Sequence, residues 1–197
     1  MSRRSEGSKR EARSERPSAE ELRAAAGKTL PDLIAPGLRV LFTGINPSLY
    51  SAAMGQHFAR PGNRFWKTLQ RAGFTERLLS PSEQSQLLSR GIGITNVVAR
   101  ATASAAELER AEYVAGALAL ARKVRRYRPR VLAFLGIEAY RIAAGEPRAG
   151  IGAQPVPFAG ARVWVLPNPS GLNAHYQLDA LASAYAELAR AVDVGAA

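Results

Sequence analysis

The stretch Leu38–Phe58, LRVLFTGINPSLYSAAMGQHF, decides how this chain is read. Leu38, Val40, Leu41 and Phe42 form a short apolar run with β-branched and aromatic content, the composition of a buried strand in an α/β sheet. The run stops at turn chemistry. Gly44 permits backbone angles closed to other residues, Pro47 has no N–H, and the residue ahead of a proline is kept out of the α region. The Asn46 amide is therefore expected at the mouth of a strand end. In open α/β sheets ligands bind outside the carboxyl ends of strands.

Residues 161–173, ARVWVLPNPSGLN, repeat this design: Val163, Trp164, Val165 and Leu166 run into a second Asn-Pro-Ser turn. One such turn alone reads as a device that closes a strand. Two of them, with GIN before one and GL after the other, read as two sides of a single cleft.

Composition narrows the chemistry. A length of 197 residues favours one domain with a real core. The 27 Lys and Arg against 16 Asp and Glu leave a net charge of +11, which points to a polyanionic partner, nucleic acid first, with a basic housekeeping enzyme as the bland alternative. With no cysteine, disulfides, thiolate zinc sites and cysteine-ligated iron–sulfur clusters are impossible. His57 and His175 are the only histidines and no paired acidic motif accompanies them, so neither a metal nor another cofactor is expected. No signal peptide and no apolar run of membrane-spanning length is seen, so a soluble, cytoplasmic protein without a membrane partner is expected.

Residues 1–17 carry six Lys or Arg and three Glu, and no large apolar residue after Met1, the composition of a disordered basic tail ahead of a single domain over 18–197. Ser18 and Glu21 form a capping-box pattern for a short helix through Ala26, closed by Gly27. Tyr50–Gly62 reads as a long loop that covers a site. Asn63 is placed to cap a helix bearing Phe65, Trp66 and Leu69, and Ser80 or Ser82 to open another that stops at Gly91. Ile92, Ile94, Val97 and Val98 read as an extended buried run, and 104–126 as an alanine-rich helix. That helix closes in Arg122, Lys123, Arg125, Arg126, Arg128 and Arg130. Cations suit a helix C-terminus, but six in nine residues exceed what capping needs, so a phosphate-contacting patch stands beside the structural reading. Val131–Leu135 is a strand, Ile137–Ala144 a helix, Gly145–Gly160 a loop, and Gln177–Val192 a final helix. Strands alternating with helices predict an α/β protein, a three-layer α/β/α sandwich with a short, mostly parallel central sheet.

Four motifs in order, GINPSL (44–49), HFARPGNRFWKTLQRAGF (57–74), GIGITNVVARAT (91–102) and LPNPSGL (166–172), resemble the mismatch-specific uracil-DNA glycosylases, the branch of the uracil-DNA glycosylase superfamily that includes thymine-DNA glycosylase. The resemblance covers roughly 38–192. It implies a monomer of that fold which extrudes uracil, or a related pyrimidine, from mismatched double-stranded DNA and hydrolyses its N-glycosidic bond, in the bacterial cytoplasm at the nucleoid.

By the same resemblance Asn46 and Asn168 are the catalytic pair, Asn46 positioning the water and Asn168 lying near base and sugar. An amide orients water but does not take its proton as a carboxylate does, so chemistry slower by about 10²–10⁴ is expected than where an acid stands there. Phe58 matches the phenylalanine that stacks on the flipped base, with Ile45 and Ser51 in the base pocket. Gly171 and Leu172 match the segment that enters the duplex, Leu172 filling the gap as apolar wedges do. Asn96 stands where some bacterial members have lysine and thymine-DNA glycosylases have asparagine. Asn173, Ala174 and His175 replace a Ser-Arg pattern whose arginine helps read the opposite strand; His175 either substitutes for it or is an ordinary surface histidine. Lys67 is the nearest candidate for a Schiff-base nucleophile, but its helix position predicts a solvent-facing side chain. Two other readings compete: a damaged-DNA-binding module without catalysis, and a nucleotide-binding α/β enzyme, for which GINPS is too short a phosphate loop.

Overall fold

The structure, a computed structural model, describes residues 16–193. The expected tail over 1–17 lies, up to Glu15, outside the described residues. In chain order the elements are α1 (Ala19–Ala24), β1 (Val40–Gly44), α2 (Leu49–Met54), α3 (Phe65–Arg71), a 3₁₀ segment (Pro81–Arg90), β2 (Ile92–Asn96), a 3₁₀ turn (Ala105–Glu107), α4 (Arg110–Tyr127), β3 (Val131–Leu135), α5 (Ile137–Ala144), β4 (Gly152–Phe158), β5 (Ala161–Leu166) and α6 (Leu178–Asp193). The strands form one sheet in the order β2-β1-β3-β5-β4, parallel except for β4, which runs antiparallel to β5.

The apolar run that opened the sequence reading becomes β1, buried along its whole length because helices cover both faces. Side chains alternate between two cores. Val40 and Phe42 meet Phe65, Leu69, Tyr185 and Leu188 of α3 and α6, while Leu41 joins Leu120, Val124 and Tyr140 of α4 and α5 on the other side. Phe42 is the centre of an aromatic cluster, edge-on to Phe65 and Phe74 and stacked with Tyr185 at 6.1 Å. This is the expected three-layer α/β/α sandwich.

Because β1 has β2 on one side and β3 on the other, the chain leaves it in one direction and returns in the other. Such a switch point opens a crevice at the carboxyl ends of the strands, where the loops diverge.

Several local expectations are corrected. Within Tyr50–Gly62 the chain forms helix α2, because the Ser48 hydroxyl accepts from the Ser51 N–H as an N-cap and Gly55 ends it in the left-handed region. Gly145–Gly160 contains strand β4, whose Pro155 and Pro157 fall at an edge and within an irregularity of the pairing between Gln154 and Phe158, where prolines are tolerated. The helix expected from 104 begins only at Arg110, after a 3₁₀ turn with its own capping box, Ser104 and Glu107. The N-cap of α3 is Arg64, without a side-chain cap, and not Asn63 as expected; Asn63 stands one residue earlier, its side-chain oxygen accepting from the Phe65 N–H at 2.9 Å in a local turn.

The basic run closes α4, as expected. It leads into β3 and so sits at the amino edge of the sheet, opposite the strand ends that carry the Asn-Pro-Ser turns. Lys123 turns inward to an ion pair with Asp32 at 2.5 Å and a hydrogen bond to Thr95, so its charge is met within the protein.

Candidate active site

The carboxyl ends of β1, β2, β3 and β5 surround a cleft of about 230 Å³ lined by Ile45, Asn46, Ser51, Phe58, Asn96 and Asn168, among others. Every residue expected in the base pocket and the catalytic pair lies on this lining.

Asn46 is held by its donor end. Its Nδ2 donates to the Arg100 carbonyl at 3.0 Å and to Thr102 Oγ1 at 2.7 Å. The Thr102 hydroxyl spends its proton on the Ser104 carbonyl at 2.8 Å, so towards Asn46 it acts only as an acceptor. The amide orientation is thereby dictated by the network, and Oδ1, an acceptor, is the end left for the cleft. Backbone pairing locks the same junction: Thr102 donates to the Pro47 carbonyl, Leu49 donates to the Thr102 carbonyl, and Val98 donates to the Ile45 carbonyl.

Asn168 is held the opposite way round. Its Oδ1 accepts from the Ser170 N–H at 2.9 Å in a local turn, which leaves Nδ2, a donor, unbonded among the described residues. Gly136, just after β3, borders Asn168 in a backbone conformation with φ of 132° that other residues rarely adopt. From below, the buried Tyr185 hydroxyl donates to the Pro167 carbonyl at 3.2 Å, and burial raises that phenol's pKa well above its ordinary value.

Phe58 takes a left-handed backbone with φ of 53°, a strained conformation for a bulky residue and one that clusters at functional sites. Its ring stacks on Phe65 with centroids 4.1 Å apart, which fixes the ring plane beside the cleft. Ser51 is buried and braces this loop, its hydroxyl accepting from the Ala59 N–H at 3.2 Å. His57 is buried too, with its ring bonded to the Pro31 carbonyl at 3.0 Å; burial holds its pKa below the ordinary histidine value, the Pro31 bond and Asp32 opposing that and Lys123 adding to it.

Beyond the pocket, Leu172 is 79% exposed at the tip of the second turn, so it is not a core residue. Gly171 rests on the backbone of Gly62, where a Cβ would fall 2.6 Å from the Gly62 carbonyl oxygen. Asn173 bonds inward, donating to the Asn168 carbonyl at 2.9 Å and accepting from the His175 N–H, whereas His175 itself is exposed. Lys67 is exposed on α3, as expected.

Sequence reasoning missed Arg60, Arg64 and Thr102, and singled out Asn96 without a role. Arg64 donates to the carbonyls of Ser170, Asn173 and Tyr176 and so ties the loop 170–176 to the start of α3. Arg60 is exposed at the cleft rim. Asn96 is only 7% exposed, packs so close to Gly44 that a Cβ there would lie 2.6 Å from its Oδ1, and makes no side-chain hydrogen bond among the described residues. A buried amide without a partner facing a cleft is expected to meet one in a ligand. Thr102 and Arg64 sat inside quoted motifs, but nothing local in the sequence marks a bond that spans 56 residues.

Among the described residues no three His, Asp or Glu side chains gather as a metal site. Fold and cleft thus define an α/β/α protein that assembles amides at the carboxyl ends of parallel strands. Comparison with known proteins gives this class its name: residues 31–189 match the uracil DNA glycosylase superfamily, and the chain belongs to it. Among solved structures, a provisionally named uracil DNA glycosylase from Methanosarcina acetivorans, determined by solution NMR, aligns over 85% of this chain and 98% of its own with a TM-score of 0.60 and 18% identity. That likeness concerns the fold. Membership of the superfamily makes the chain a DNA glycosylase, with DNA as its partner.

Proposed function

We propose that the protein is a monofunctional glycosylase that flips uracil, and related pyrimidines such as thymine, out of mismatched duplex DNA and hydrolyses the base–sugar bond. The observation that carries this reading is the division of labour between two amides: Asn46 offers an acceptor to the cleft and Asn168 a donor. Hydrolysis at C1′ needs both. A water held through its hydrogen by Asn46 Oδ1 turns a lone pair to the sugar carbon and, once bonded, loses its proton to solvent, while the electron pair of the breaking bond passes to the base, whose negative charge a fixed donor stabilises. Phe58 supplies a stacking face, typically worth about 1–3 kcal/mol per base, and the Asn96 amide offers a donor and an acceptor to a pyrimidine edge.

Leu172, exposed and held on a loop tied down by Arg64, suits the wedge that fills the vacated stack. Gly171 allows that loop to approach the backbone at Gly62, and Asn173 and His175 shape the side that would meet the opposite strand. A binding module that recognises damage without excising it would share the wedge and the charge, but it has no use for an amide pair of opposite polarity. The discriminating experiment uses labelled duplexes with U opposite G, U opposite A and T opposite G, treated with alkali after incubation. Strand scission at the lesion, strongest for U opposite G, is expected; intact strands with tight binding would favour the binding module.

A further inference from the structure

The basic run points to a second nucleic-acid surface on the far side of the molecule. Arg122, Arg125 and Arg126 project from the last turns of α4, Arg128 caps that helix, and Arg130 and Arg162 stand side by side where β3 and β5 begin. All six are exposed. The cleft lies at the other end of the same strands, five residues away in β3, which is roughly 16 Å at the usual rise of a parallel strand.

Two observations set this surface apart from an ordinary solvated face. Between Glu112 and Glu138 the sequence has no acidic residue, and among the described residues none of Arg122, Arg125, Arg126, Arg128 and Arg162 pairs with a carboxylate, whereas Arg71, Arg77, Arg100 and Arg141 each do. Helix-end cations explain at most those in the final turn of α4. The second observation is the backbone of Arg128, which closes α4 at φ 49° and ψ 53°. Gly55, Gly91 and Gly145 close other helical segments in that left-handed conformation, which a Cβ disfavours. A guanidinium thus stands where glycine fits with less strain. Beside it, Arg125 shares a shallow concavity with Pro129, Gly160 and Ala161, whose small side chains leave both guanidinium groups open to a large anion.

We propose that this amino-edge surface binds the phosphate backbone of a second duplex segment while the cleft holds the first, so that the enzyme passes directly between DNA segments. Guanidinium forks match phosphate oxygens, and on α4 the exposed apolar side chains, Val114 and Leu118, lie further up the helix, so its end presents charge alone, while Arg162 borders an apolar hollow with Pro155, Pro157 and Trp164. The proposal rests on the glycosylase reading.

The test is a dissociation experiment. A preformed complex with a fluorescent duplex is mixed with rising concentrations of unlabelled duplex, and the release rate is followed for the wild type, for Arg125→Gln/Arg128→Gln/Arg162→Gln, and for the same three positions changed to Lys. Direct transfer makes the wild-type rate climb with competitor concentration. The Gln triple variant should lose that slope by about fivefold or more, and the Lys triple variant should keep most of it, because phosphate neutralisation follows charge. Single-turnover excision from a short duplex should stay within about twofold of wild type in both variants, since one bound duplex leaves the rear face unused. A wild-type release rate independent of competitor, or an undiminished slope in the Gln variant, overturns the second surface. Failure of the glycosylase reading would show separately, as wild-type protein that excises nothing.

Discussion

Asn46 and Asn168 turn opposite ends of the same functional group towards one cleft. Asn46 spends its NH₂ on Arg100 and Thr102 and leaves a carbonyl; Asn168 spends its carbonyl on Ser170 and leaves an NH₂. Neither group titrates in the physiological range, so the pair can polarise water and base but cannot exchange protons with them. Excision rates should therefore be nearly flat between about pH 5.5 and 9, where an imidazole base, or a carboxylate of raised pKa, would add a limb rising from the acid end. A single-turnover pH profile with a clear ionisation inside that range would show that another group takes the proton.

Thr102 sets the orientation of Asn46. Thr102→Val keeps the shape, removes the acceptor at 2.7 Å and leaves only the Arg100 carbonyl to hold the amide, so the single-turnover rate should fall roughly tenfold, about 1.4 kcal/mol, with DNA affinity unchanged. Thr102→Ser should retain most of the rate. A loss in Thr102→Ser with the rate retained in Thr102→Val would mean that the methyl group, not the hydroxyl, matters.

Leu172 should matter in proportion to how hard the target is to extrude. Leu172→Ala is expected to slow excision most for uracil in a well-paired duplex, less in a mismatch, and least in a single strand. Its melting temperature should not move, because the side chain is 79% exposed. A uniform loss on all three substrates together with a lower melting temperature would contradict the wedge. Gly171→Ala, which drives a Cβ against the Gly62 carbonyl, should reproduce the same substrate ranking by displacing the loop.

Acid should weaken the fold through His57. Burial lowers the pKa of this imidazole in the folded state, whereas the unfolded chain titrates near 6.5, so below about that pH the unfolded state binds a proton that the folded state refuses. The stability it contributes is complete above that pH, drains away as pH falls below it, and stops falling only below the folded pKa. Glu83 and Glu112, held at about 2 chiefly by Arg77 and Arg100, do not titrate in that window. Melting curves at about pH 7.5 and 5.5 should differ for the wild type and differ less for His57→Gln. An undiminished difference in the variant would assign the acid sensitivity elsewhere.

What the sequence made legible was what local chemistry encodes. β1, β3 and β5 are apolar runs cut off by glycine or proline, and the two Asn-Pro-Ser turns announced where the amides would stand. Edge strand β4 was hidden by Pro155 and Pro157, which argue against a strand unless the position is known to be an edge. Helix α2 was hidden because its small residues are equally at home in a loop, and Ser48 became a cap only through its bond to Ser51. The polarity of each amide was illegible: it depends on Thr102 and Arg100 for one and on Ser170 for the other, and only the first of these networks is long-range. The position of the basic run was likewise a matter of sheet topology, since the end of the strands it meets follows from strand direction and not from its own composition.

The most direct test compares wild type and Asn46→Ala by single-turnover excision from one uracil-containing duplex, with affinity for the same duplex measured in parallel. The wild type should generate alkali-labile sites, and the variant should lose about 10²-fold or more in rate while binding within a few-fold, because the amide positions the water and does not serve the DNA backbone. A variant that excises at close to the wild-type rate would remove Asn46 from the mechanism, and with it the opposed amides on which the account is built.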